Sequence, residues 1–248
     1  MDKTIVLIPS RLQATRLPNK PLLRINNKSL IMHVYENARK SGIGDVYVAT
    51  GDDSIFEEVT KHGAKCIKTS LNHVTGTDRI YEAFNKLDQK DISYVINLQG
   101  DEPMINIEDI KNLKMQTIKN KSEISTLACE IKDQKKLNDE SIVKVKTIDK
   151  ISLGNISRAV NFSRSIPYNA SENIYHHIGI YIYKTTILKK FTELPQTNEE
   201  KKQKLEQLRA LENDIKIDVV RASTAPIGVD TKNDYMEIKK LMEYKNKL

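Results

Sequence analysis

Tyr94-Val95-Ile96-Asn97-Leu98-Gln99-Gly100-Asp101-Glu102-Pro103 is an apolar run that ends in a glycine turn carrying two acids. The run has the composition of a buried strand, and Pro103 cannot extend it. Open α/β sheets hold their ligands at the carboxyl ends of strands, so a carboxylate at residue 101 stands where a metal or substrate would bind. Gly-Asp and Glu-Pro are also ordinary turn pairs, and alone the motif would be read as a turn.

Upstream, Thr4-Ile5-Val6-Leu7-Ile8 reads as a first strand and runs into a long polar loop carrying Arg11, Arg16 and Lys20 among Pro9, Pro18 and Pro21. Three cations in such a loop are by default a solvated surface. A long irregular loop in a compact domain is usually functional, however, and this one has the chemistry to hold a polyphosphate. Ser29 to Gly42 has a cap-like serine, apolar residues at helical spacing and a terminal glycine, which predicts a helix. Val46–Thr50 reads as a strand, Ile55–His62 as a helix, Ala64–Lys68 as a strand and Arg79–Phe84 as part of a helix. Short strands alternating with helices predict a Rossmann-like, mostly parallel sheet with flanking helices. Beyond residue 122 the β-like runs Ser125–Ile131 and Ile142–Lys146 predict a smaller inserted β-rich lobe, approximately residues 122–190, within a single domain spanning 1–248. Leu205, Leu208 and Leu211 mark a helix, Ile215–Val220 a strand, and Tyr235–Leu248 a basic terminal helix.

Composition narrows the function classes. Cys66 and Cys129 are far apart and have no neighbours at ligand spacing, which argues against a disulfide scaffold or a zinc site and for a reducing cytosol. No apolar stretch is long enough to span a bilayer, and the N-terminal apolar run is too short for a signal sequence. Net charge is +7, but 31 of the 40 basic residues are lysines interspersed with acids, a solvated pattern. An RNA-binding module would need clustered aromatics for stacking; here there is no Trp and only four scattered Phe. The absence of G-x-G-x-x-G after the first strand, and of a Walker pattern, disfavours dinucleotide dehydrogenases and P-loop enzymes.

Asp101 and Asp230 each follow a strand-like run and a glycine, so a parallel sheet could bring both to one rim, where they could hold Mg²⁺ against phosphate oxygens. Asp230 could equally cap the helix that follows it. Along Ile174–Tyr183 even positions are Ile174, His176, Ile178, Ile180 and Ile182, and odd ones Tyr175, His177, Gly179, Tyr181 and Tyr183. Strand parity then predicts a core face and a polar face, with His177 and Tyr181 about 6 to 7 Å apart on the polar one and His176 structural. Arg164 has the chemistry for a carboxylate partner. Glu206 and Gln207 follow Glu199–Lys204, which reads as a solvated charge run, and Thr75, Thr77 and Asp78 read as helix capping.

The string Ile8-Pro9-Ser10-Arg11-Leu12-Gln13-Ala14-Thr15-Arg16-Leu17-Pro18-Asn19-Lys20-Pro21-Leu22 resembles the signature loop of sugar-activating nucleotidyltransferases. Further blocks, His73-Val74-Thr75-Gly76-Thr77-Asp78-Arg79, Gln99–Pro103, His177-Ile178-Gly179-Ile180-Tyr181, Leu205-Glu206-Gln207-Leu208-Arg209 and Gly228-Val229-Asp230-Thr231, extend the resemblance to the 3-deoxy-manno-octulosonate cytidylyltransferase family. Asn19 stands where the family commonly has Gly, and Thr75 where it has Ser. Asparagine tolerates left-handed backbone, so the turn can survive.

The resemblance implies an enzyme that activates 3-deoxy-D-manno-octulosonate (Kdo) with CTP, giving CMP-Kdo and pyrophosphate for bacterial lipopolysaccharide synthesis. It implies Mg²⁺ on Asp101 and Asp230, with Lys20 as a third catalytic residue. It assigns the nucleotide to Arg11, Arg16, Lys20 and Gln99, and the sugar acid to Arg79, Arg164, His177, Tyr181, Glu206 and Gln207. A cytoplasmic homodimer built through the smaller lobe, engaging neither nucleic acid nor membrane, is the implied setting. An amino analogue of the sugar, or a non-catalytic nucleotide-binding scaffold, stays open at this level.

Overall fold

The computed structural model describes residues 2–13, 16–165 and 172–245. Two compact units emerge: Lys3–Ile107 with Pro226–Leu248, and Glu108–Ala225. The expected lobe, 122–190, lies inside the second. Ala14 and Thr15 of the first loop, and the last three positions of the expected terminal helix, fall outside the described residues.

The first unit begins with β1 (Lys3–Ser10), a 3-10 turn (Lys20–Leu22) and a small hairpin, β2 (Arg24–Ile25) and β3 (Lys28–Ser29). It continues through α1 (Leu30–Lys40), β4 (Val46–Thr50), α2 (Asp53–Lys61), β5 (Cys66–Lys68), α3 (Gly76–Lys86) and β6 (Ile92–Asn97). Its main strands lie in the order β5-β4-β1-β6, every neighbour parallel. Ile5, Val6, Leu7 and Ile8 are fully buried, because parallel strands carry helices on both faces and need an apolar residue at every position. From β1 the chain steps outward to β4 and β5, then crosses back to β6 on the other side. That reversal is a topological switch point, and the loops after β1 and β6 diverge there to leave a crevice.

The second unit contains α4 (Ile107–Asn120), β7 (Ile124–Glu130), α5 (Gln134–Leu137), β8 (Lys144–Thr147), β9 (Ile156–Ser163), β10 (Ile174–Lys184), α6 (Thr185–Glu193), α7 (Asn198–Gln203), α8 (Gln207–Glu212) and β11 (Ile217–Arg221). Its strands run β10-β7-β11-β9-β8, and β8 also pairs with β10. Only β7 and β11 are parallel; the other pairs are antiparallel. The chain then returns to the first unit as α9 (Lys232–Lys245). Among the described residues no helix is long and apolar enough to cross a membrane.

Along 174–183 the face expected to be polar is itself buried: Tyr175, His177, Tyr181 and Tyr183 are all out of solvent. Pairing with β7 jumps from Ile178↔Leu127 to Tyr181↔Thr126, so Gly179 and Ile180 form a bulge. Two extra residues preserve the parity, so Tyr175, His177, Tyr181 and Tyr183, opposite Glu130, Ala128, Thr126 and Ile124, share one face as expected.

Candidate active site

At the switch point the first unit has a cleft of about 400 Å³, lined by Ser10, Arg11, Gln13, Arg16, Lys20, His73, Thr75, Arg79, Gln99, Asp101 and Asp230 among others. Such a volume suits a small-molecule ligand. Asp101 arrives on the turn after β6. Gly100 lets that turn approach β1, because a Cβ there would stand 3.1 Å from the Pro9 carbonyl oxygen.

Asp230 arrives differently from the expectation. Residues 226–230 form no strand; instead the Val229 N–H donates to the Asp101 carbonyl at 3.0 Å. The Val229 side chain is buried in a cluster with Leu17, Ile25, Leu30 and Ile238. Apolar burial of one valine therefore fixes the neighbouring aspartate beside residue 101. Nor is Asp230 the cap of α9: Thr231 Oγ1 accepts from the Asp234 N–H, while the Asp234 carboxylate accepts from the Asp230 and Thr231 N–H groups.

Lys20 reaches both acids. Asn19 is left-handed at φ 56, as the asparagine allows, and aims the chain into the 3-10 turn where Pro21 is buried. Lys20 Nζ then donates to Asp101 Oδ2 at 2.7 Å and Asp230 Oδ1 at 3.2 Å, and Arg16 donates to Asp230 Oδ2 at 3.2 Å. Burial alone would lower the Lys20 pKa, but Asp101 and then Asp230 outweigh it and hold the ammonium above its ordinary value. Glu102 was not singled out as a site residue, although it follows Asp101 directly. Burial, then Asp101 and Asp230, push its carboxyl up to about 8.

On the opposite wall Thr75 caps α3 by accepting from the Asp78 N–H, as expected. Arg79, one turn on, is buried and donates to Thr69 Oγ1 at 2.7 Å and the Ser70 carbonyl at 2.9 Å. Its place is in this cleft, with Arg11, Arg16 and Lys20, while the other residues assigned to the sugar lie in the second unit. His73 also lines the cleft and is held by Glu82. Burial opposes ionisation of Glu82, but hydrogen bonds from Lys86, the Ser70 N–H and His73 bring its pKa down to about 2. Neither His73 nor Gln13 was picked out by residue type, although both stand within the quoted blocks.

In the second unit His177 and Tyr181 do come together, with ring centroids 5.4 Å apart, in a row that continues through Phe162 on one side and Tyr183 on the other. Thr126 Oγ1 lies 2.8 Å from the Ile180 carbonyl and 3.0 Å from His177 Nε2. Directing the one hydroxyl proton at that carbonyl makes His177 Nε2–H the donor to Thr126. Burial, with a smaller push from His176, lowers His177 to about 3, so it is neutral. The buried Tyr181 hydroxyl makes no hydrogen bond of good geometry, and burial raises its pKa.

Glu206 and Gln207 open α8, which is anchored by a fork: Arg209 Nε and Nη2 donate to the two Glu200 oxygens at 2.8 and 2.5 Å. Glu200 is 3 % exposed and completes a capping box with Thr197, so the 199–204 run is not wholly solvated as expected. The reason is that a bidentate arginine repays its desolvation. Arg164 donates to the Glu140, Ser141 and Gln203 carbonyls at 3.1 to 3.4 Å, and buried Lys144 holds the Arg164 carbonyl at 2.7 Å.

A family model described as cytidylyltransferase matches residues 5–217. The chain is 37% identical over 241 residues to a 3-deoxy-manno-octulosonate cytidylyltransferase of Bartonella bacilliformis, covering 97% of this chain and 98% of the relative. A protein of the same name from Brucella anthropi is 41% identical over 234 residues, 94% of this chain and 93% of the relative. Among solved structures, CMP:2-keto-3-deoxy-manno-octonic acid synthetase complexed with CTP superposes with a TM-score of 0.88 at 35% identity, over 98% of this chain and 100% of that one. With that loop, that pair of aspartates and relatives matched end to end, the chain belongs to the cytidylyltransferase family, among the 3-deoxy-manno-octulosonate cytidylyltransferases.

Proposed function

We propose that this chain transfers the cytidylyl group of CTP to Kdo, releasing pyrophosphate and giving CMP-Kdo. The observation that carries the proposal is the meeting of Asp101, Asp230, Lys20 and Arg16 in one cleft at the switch point. Arg11, Arg16, Lys20 and Gln99 hold the triphosphate, and the cations stabilise negative charge as it moves onto the departing pyrophosphate. The sugar's anomeric oxygen attacks the α-phosphorus in line as the bond to the β-phosphate oxygen breaks. No covalent enzyme intermediate is needed.

The two aspartates suit Mg²⁺: a single ammonium already touches both carboxylates, and Mg²⁺ characteristically takes one or two carboxylates with substrate phosphates completing its shell. When bound, the cation offsets the negative oxygens that would repel the attacking hydroxyl. His177, Tyr181, Arg164, Glu206 and Gln207 serve the sugar acid, with the Tyr181 hydroxyl available to a sugar hydroxyl and Arg164 able to exchange long carbonyl bonds for a carboxylate. Arg79, in the nucleotide cleft, is reassigned to the phosphate side.

The enzyme acts as a homodimer in the cytoplasm. Free Cys66 and Cys129 suit a reducing compartment, and the exposed apolar residues Ile148, Leu153 and Val160 on the β8–β9 hairpin supply a pairing surface. Incubation with CTP, Kdo and Mg²⁺ should release pyrophosphate, and Asp101→Asn should reduce the rate by about a hundredfold or more. Undiminished release by the variant at saturating Mg²⁺ would refute the metal role. Running the assay with the amino analogue beside Kdo identifies the sugar.

A further inference from the structure

Lys20 sits where a divalent cation would. Its Nζ bridges Asp101 Oδ2 at 2.7 Å and Asp230 Oδ1 at 3.2 Å, and its side chain is only 16% exposed. Arg16, the other cation on Asp230, is 68% exposed, so water and salt screen it and Lys20 is the main internal counter-charge. Among the described residues no group of three or more His, Cys, Asp or Glu could hold a metal. The protein thus offers a divalent ion two carboxylates, and both are already engaged by an ammonium.

The two cations cannot share that gap. Mg²⁺ binds oxygens at about 2.0 to 2.1 Å, so an ion on both carboxylates would lie within a few ångströms of the ammonium in a partly buried site. Lys20 has somewhere to go: its backbone is fixed by left-handed Asn19 and buried Pro21, but its four-carbon stem can swing Nζ toward a triphosphate held by Arg11 and Arg16.

We propose that Lys20 is the resident counter-ion of Asp101 and Asp230, and that triphosphate binding draws it away so that nucleotide and divalent cation bind cooperatively. The proposal rests on the reading that these carboxylates hold the metal during turnover. Before nucleotide arrives the ammonium holds the two acids together in place of the metal. Afterwards the same charge serves the phosphates. Linkage makes the effect reciprocal: the ion tightens nucleotide binding by the factor by which nucleotide tightens the ion.

The test is Mn²⁺ binding to the nucleotide-free protein, followed by titration calorimetry and by the electron paramagnetic resonance signal of free Mn²⁺. Wild type should bind weakly. Lys20→Met should bind about tenfold more tightly or better, because one like charge has left the site. Lys20→Arg, which keeps the charge, should stay weak, and matched circular dichroism spectra establish that the variants fold alike. Adding Asp101→Asn to Lys20→Met should abolish the gain. Equal Mn²⁺ affinity in wild type and Lys20→Met, with Asp101→Asn weakening both, would overturn the counter-ion exchange while leaving the carboxylates as the metal site. If Asp101→Asn changes Mn²⁺ binding in neither background, even with a non-cleavable α,β-methylene analogue of CTP present, the metal reading fails and the exchange fails with it.

Discussion

Burial, reinforced by the neighbouring His176, keeps His177 neutral down to about pH 3, whereas an exposed histidine titrates near 6.5. Between those values the unfolded chain binds one proton that the folded chain refuses. Stability contributed by this residue is therefore complete above pH 6.5 and falls as the pH drops through the window, by about 1.4 kcal/mol per pH unit. His177→Gln should lower stability at pH 7 through lost aromatic packing, yet show a shallower decline between pH 6.5 and 4.5 when urea midpoints are compared. Parallel declines in the two proteins would mean that the folded state admits the proton. Burial thus leaves His177 a neutral imidazole whose Nε2–H is directed at Thr126.

At the level of elements, two glycines separate folding from function. A Cβ on Gly44 would stand 1.9 Å from the Thr4 carbonyl oxygen, inside the first turn of contact with β1. Backbone cannot retreat cheaply from a central strand, so Gly44→Ala should cost about 3 kcal/mol or more in chemical denaturation. Gly100 is tighter than usual rather than forbidden, at 3.1 Å from the Pro9 carbonyl. Gly100→Ala should leave stability within about 1 kcal/mol of wild type. Because it shifts Asp101 by a few tenths of an ångström against Lys20, it should nonetheless slow pyrophosphate release about tenfold, measured at saturating CTP. The strands these glycines serve were readable in the sequence, since Ile5–Ile8 and Tyr94–Ile96 are apolar at every position, as strands covered on both faces require. Strand β10 was legible as a strand and in which residues share a face, but not in the burial of that face. Its bulge at Gly179 and Ile180 depends on how β7 pairs with it, which no pattern inside 174–183 records.

Over the whole molecule, the β8–β9 hairpin leaves Leu153 79% exposed and Ile148 60% exposed, apolar surface of the kind that marks a partner site. For the homodimer proposed above, the double change Leu153→Asp and Val160→Glu should give a monomer in light scattering with the circular dichroism spectrum unchanged; a dimer of undiminished stability would move the interface elsewhere. The alternation of strands and helices, the cationic loop with its left-handed Asn19, and the acid after β6 followed from the sequence because each is a local pattern: periodicity, turn chemistry, a strand end. What only the tertiary structure decided is which distant groups meet. Asp230 joins Asp101 through a buried valine and one backbone hydrogen bond, Arg79 falls in one cleft with Arg11, Arg16 and Lys20, and Glu200 is taken out of solvent by Arg209. Those outcomes come from long-range packing, in which the free energy of burying one side chain fixes the position of its neighbour, and residue type alone carries no information about the partner.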